Sequence, residues 1–139
     1  MRRIVTILIL AGLSVTGFVG ASPASAQVTP TVDITSATLI ARGAALEVTY
    51  TVTCEAGLQG FVSASITQRV GPRIAQGSGG TSFTCTGSPQ TVTVLATAFG
   101  GGGAPFRQGT AVTSTVLELC GELGCRFSYF NEVIAISRR

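Results

Sequence analysis

The sequence predicts an all-β chain, and three observations predict it. Apolar and polar residues alternate at period two in one run after another, with valine and threonine the usual partners. Glycine- and proline-containing turn signals separate these runs at short intervals, and nothing between them is long and amphipathic enough for a helix. The four cysteines, an even count, suit a small exported domain stapled by disulfides.

The chain opens on an expected leader. Arg2 and Arg3 form a positive start, Ile4 to Leu13 an apolar segment, and Ala24-Ser25-Ala26 a small-x-small cleavage pattern. We read 1–26 as a signal peptide and 27–139 as one secreted, extracellular domain. The rival reading, a membrane anchor from Ile4 onward, is opposed by Pro23 and the Ala-Ser run that follows it. No cysteine follows the apolar segment to carry a lipid, and no second long apolar segment appears, so no membrane association is expected after cleavage.

Val32 to Leu39 is the first strand candidate, ended by Arg42-Gly43. Leu46, Val48, Tyr50, Val52 and Cys54 then alternate with Glu47, Thr49, Thr51 and Thr53, a half-buried strand that stops at Ala56-Gly57. Val62, Ala64 and Ile66 alternate with serine and threonine up to Gly71-Pro72. Thr81 to Cys85 is shorter and ends at Gly87-Ser88-Pro89. Val92, Val94 and Ala96 follow, then the run Gly100 to Gly103. Ala111 to Leu119 has Thr113 and Thr115 on one face and Val112 and Val116 on the other; Val133 to Ile136 comes last. About seven short strands at this spacing read as an immunoglobulin-like antiparallel β-sandwich. The Thr-x-Thr pairs read as solvated faces made of a good strand former. A flat crystal-binding grid of hydroxyls is opposed by strand twist and by the lack of a common period.

Composition removes whole classes of chemistry. There is no histidine, and all nine basic residues are arginine. That excludes a Ser-His-Asp triad, a histidine metal site and a lysine Schiff base. The formal charge of +3 falls to about +1 once the leader is removed. The remaining arginines look scattered from Arg42 to Arg126, with Arg138 and Arg139 last, so neither nucleic acid nor a membrane surface is an expected partner. The carboxylates Asp33, Glu47, Glu55, Glu118, Glu122 and Glu132 could in principle supply a glycosidase pair. Sugar clefts also need aromatic platforms, and this chain has no tryptophan and only two tyrosines. We nominate no catalytic residue, cofactor or metal, and expect no enzyme.

The cysteines allow three pairings. Cys120-Gly-Glu-Leu-Gly-Cys125 suits a local bridge across a hairpin, which leaves Cys54 with Cys85. A zinc site is disfavoured because the Cys-x₄-Cys spacing has no matching second pair.

The one candidate binding site is the loop from Phe99 to Arg107. Phe99 and Phe106 flank four glycines, and Arg107 follows. Such a loop is expected to be mobile and able to close over an apolar ligand or dock on a partner. The alternative is that both rings cap the core at either end of a hairpin. Phe127, Tyr129 and Phe130 form a second aromatic cluster.

Two resemblances add to this reading. The runs Gln68 to Gly77, Cys85 to Val94 and Phe106 to Ala111, with Thr49 to Cys54 and the closing Cys120 and Cys125, resemble a group of small exported actinobacterial proteins. That resemblance implies an immunoglobulin-like sandwich and export, and no chemistry. The Cys120–Cys125 spacing and the apolar strand after it are also similar to the neocarzinostatin-type apoproteins, secreted sandwiches with a ligand cleft. No cleft residue carries over position by position.

The function expected from sequence is a secreted, non-catalytic immunoglobulin-like module that meets an unknown protein or envelope component. A carrier of an apolar small molecule is the alternative. A protease inhibitor comes third, because the Cys120–Cys125 loop is too short for a protease cleft and Gly100 to Gly103 is not preorganised.

Overall fold

The computed structural model of the chain describes residues 28–139. The expected leader and the cleavage point before Gln27 lie outside the described residues. Seven strands follow one another: β1 (Thr31–Ile40), β2 (Ala45–Thr53), β3 (Gln59–Val70), β4 (Arg73–Thr84), β5 (Gln90–Ala98), β6 (Gly109–Gly121) and β7 (Gly124–Arg138). A single 3-10 turn, Ala41–Gly43, joins β1 to β2.

The strands are hydrogen bonded in the order β1-β2-β5-β4-β3-β6-β7, and the ends of that series meet. Long ladders join β1, β2 and β5 on one side and β4, β3, β6 and β7 on the other. This is the three-on-four layering of an immunoglobulin-like sandwich. Two short seams close it into a barrel. At one, β4 meets β5 through Gly77 with Ala98 and Ser78 with Thr97. At the other, Ala37 to Leu39 of β1 lie parallel to Ile136 to Arg138 of β7, so the sheet is not wholly antiparallel.

The first seam depends on glycine. A Cβ at Gly79 would stand 2.0 Å from the carbonyl oxygen of Leu95, and one at Gly77 would stand 2.5 Å from that of Thr97. With side chains at either position β4 could not lie this close to β5.

The predicted period-two strands bury the faces expected of them. Leu46, Val48, Tyr50, Val52 and Cys54 face inward from β2, Val62, Ala64 and Ile66 from β3, and Val92, Val94 and Ala96 from β5. Each such Val, Leu or Ile is worth roughly 1.5–3 kcal/mol relative to leaving it exposed. In β6 the polarity departs from a simple polar-out rule. Thr113 and Thr115 are buried, whereas Val112 is exposed. Ala111, Leu117 and Leu119 share the threonines' face and fix the register, since a one-residue slip would expose all of them.

The threonines meet a polar group inside. The Tyr50 hydroxyl lies 3.2 Å from Thr115 Oγ1 in the centre of the barrel. Thr113 Oγ1 is buried nearby without a hydrogen bond of ordinary geometry. Burial pushes the Tyr50 phenol above its usual value, an effect the Thr115 and Thr113 hydroxyls partly offset.

Both expected disulfides are present, and no cysteine is free. Cys54–Cys85 ties the end of β2 to the end of β4 with its Cα atoms 5.6 Å apart. Cys120 and Cys125 face each other on β6 and β7, across a turn made by Glu122 and Leu123.

Candidate functional site

The segment from Phe99 to Gln108 links β5 to β6 over one end of the barrel. It is pinned along its length. Phe99 N donates to Gln76 O and Ala104 N to Ile74 O, while Arg73 Nη2 donates to both Gly102 O and Gly103 O, each at 2.7 Å. The two phenylalanines have different roles. Phe106 is 1% exposed and belongs to the core, whereas Phe99 is 56% exposed. They do not flank a common gate.

Arg107 stands at the rim of a pocket of about 360 Å³, whose other walls are Leu39, Arg42, Phe106, Arg138 and Arg139. Local structure holds the backbone that carries Arg42 and Arg107. Ala41 and Arg42 adopt left-handed backbone angles, φ 47° and 57°. Gly43 comes next because a Cβ there would stand 2.1 Å from the Phe106 carbonyl oxygen. Phe106 N in turn donates to Gly43 O at 2.9 Å, which locks the β1–β2 turn onto the segment carrying Arg107. Arg139 Nη2 donates to Glu47 Oε1, an exposed ion pair.

The arginines that look scattered in sequence converge here. Arg69 and Arg73 flank the β3–β4 turn at this end, so every arginine of the described residues except Arg126 lies at one end of the barrel. The opposite end carries Glu55 and Glu122 in its turns, with Asp33 and Glu118 close to it along β1 and β6. A groove of about 560 Å³ lies there between Leu58, Leu119, Leu123, Glu55, Glu122 and Arg126.

A third surface covers the outer face of the four-stranded sheet. Register sets its rows: Phe61, Glu118 and Phe127 side by side, then Ser63, Val116 and Tyr129, then Ser65, Ser114 and Asn131, then Thr67, Val112 and Val133. Phe61, Phe127, Tyr129, Val112 and Val133 are exposed. Across these rows the only charged side chain is Glu118.

No protein-family model matches the chain, and no curated protein does. Solved structures show partial similarity at low identity. The major subunit of aggregative adherence fimbriae type I from Escherichia coli aligns at 10% identity and TM-score 0.40, over 81% of this chain and 97% of its own. Macromomycin, a neocarzinostatin-family apoprotein, aligns at 19% identity and TM-score 0.34, over 78% of this chain and 100% of its own.

Of the residues nominated from sequence, Phe106 and Arg107 share the arginine-rimmed pocket and Phe99 stands apart from it. Sequence reading missed Arg42, Arg138 and Arg139 as their neighbours. Alternating strand direction held the signal: with each strand reversing direction, every second turn returns to the same end.

Proposed function

We propose that this chain is an exported, non-catalytic immunoglobulin-like module that binds a protein or cell-envelope partner through the outer face of β3, β6 and β7. The observation that carries this reading is the make-up of that face. Exposed Phe61, Phe127 and Tyr129 cluster round a single carboxylate, Glu118, with Val112 and Val133 further along the same face beyond the row of Ser65, Ser114 and Asn131. Contiguous exposed apolar surface marks interaction sites, and interface centres are rich in aromatics and poor in charge. A rigid two-sheet scaffold stapled at one end holds these side chains in fixed rows, which lowers the ordering cost of binding.

The test compares material recovered from producing cells, by native mass spectrometry after mild cross-linking. Wild type is expected to carry a protein or envelope component that the double variant Phe127→Ser/Tyr129→Ser loses. A partner retained equally by that variant would overturn the assignment of the face. A co-purifying small mass would favour a carrier, and a complex with a secreted protease an inhibitor.

A further inference from the structure

Three features meet where β1 turns into β2. The pocket between Leu39, Phe106, Arg42, Arg107, Arg138 and Arg139 has a cationic rim, with Leu39 as its accessible apolar side chain and Phe106 buried behind it. Among the described residues, Arg139 is the one rim cation with a carboxylate partner, Glu47. Like charges gathered round one partly exposed pocket repel one another. The fold enforces that crowding.

Arg42 sits in a left-handed turn together with Ala41, conformations that are strained for residues other than glycine and gather at functional sites. Arg107 is fixed by Gln68, a buried side chain whose amide brackets the Arg107 backbone with two hydrogen bonds of 2.8 Å. Two of the rim cations thus stand on backbone that is held before any ligand arrives. Planar guanidinium forks suit phosphate oxygens, and three cations without a counter-charge suit a dianion better than a carboxylate. A volume of about 360 Å³ holds roughly a dozen heavy atoms at about 30 Å³ each.

We propose that this pocket binds an aryl or alkyl phosphate. The phosphate sits among Arg42, Arg107 and Arg138, and the apolar group lies on Leu39. The site is separate from the sheet face above, and neither reading depends on the other.

Arginine Nε–H signals followed by NMR, in about 150 mM salt where diffuse surface attraction is screened, provide the test. The probes are phenyl phosphate, inorganic phosphate and vesicles containing phosphatidylglycerol. Phenyl phosphate is expected to saturate the Arg42, Arg107 and Arg138 signals with a Kd below about 1 mM, and about tenfold tighter than inorganic phosphate. Arg42→Gln, Arg107→Gln and Arg138→Gln are each expected to weaken it about fivefold or more with an unchanged unfolding midpoint, and Arg73→Gln less than about twofold. Arg138→Gln carries the comparison if the strained turn does not tolerate Arg42→Gln. The proposal is overturned by absence of saturation, by equal affinity for inorganic phosphate, or by shifts spread evenly over Arg69 and Arg73. Vesicle binding that phenyl phosphate fails to compete would also overturn it, since that outcome assigns the charge to a lipid surface.

Discussion

Gln68 grips the backbone of Arg107 from inside the barrel. Its Nε2 donates to Arg107 O, and its Oε1 accepts from Arg107 N, both at 2.8 Å. The amide does for one residue what a neighbouring strand would do, because β6 does not begin until Gly109.

Removing that grip is expected to cost stability where removing the guanidinium does not. Gln68→Ala leaves an N–H and a C=O without their partner, worth about 1–3 kcal/mol. Arg107→Ala keeps both backbone bonds and is expected to stay within about 0.5 kcal/mol of wild type. Urea unfolding of the two variants checks this; equal losses would mean that the clamp contributes nothing.

The two bridges are expected to contribute unequally. Cys54–Cys85 spans 31 residues and Cys120–Cys125 spans 5, so the chain-entropy model gives about 3.7 and 2 kcal/mol. Paired alanine variants, Cys54→Ala/Cys85→Ala and Cys120→Ala/Cys125→Ala, compared by unfolding midpoint, should fall in that order. The reverse order would place the strain or the residual denatured-state structure elsewhere.

Tyr50 predicts an alkaline limit. Its folded value lies above the usual phenol value of about 10 because burial disfavours the phenolate. The unfolded chain therefore loses this proton first. The stabilisation is complete below about pH 10 and fades as pH rises towards the folded value. Tyr50→Phe is expected to lose about 1 kcal/mol at neutral pH through the Thr115 contact and to show a shallower decline above pH 10. Parallel slopes for the two proteins would remove Tyr50 as the cause.

Gly79 is expected to be irreplaceable for steric reasons. An added methyl would meet the Leu95 carbonyl oxygen at 2.0 Å, so Gly79→Ala should lose about 2–3 kcal/mol by forcing β4 away from β5. At Gly100 nothing lies within 4 Å of an added Cβ, and Gly100→Ala should be neutral or gain about 0.4–1 kcal/mol through the unfolded state. Thermal melts separate the two outcomes, and a tolerated Gly79→Ala would show that the seam can shift.

β2 was legible because its apolar residues are those it buries. β7 was only partly so. Val133 to Ile136 marks its last part, but the strand starts at Gly124, and Phe127 and Tyr129 hid the rest by placing aromatic rings on the solvent side. β4 starts at Arg73 rather than Thr81, since glycines that punctuate most sequences here lie within the strand and allow a close approach. The buried threonines of β6 depend on Tyr50 across the barrel, a contact between residues 65 apart that no local pattern reports. The arginine-rimmed pocket needed the topology: Arg42 and Arg138 become neighbours only when β1 and β7 close the barrel.

That closing seam also constrains when the fold can be completed. Ala37 pairs with Ile136, and Ser137 Oγ donates to Ala37 O across 100 residues of chain. Contacts of such separation carry a large loop-closure entropy and make folding slow. β1 is synthesised early and its parallel partner last, so the barrel stays open along this edge until nearly the whole domain has emerged. Whatever protects the half-made protein must shield β1 for that interval.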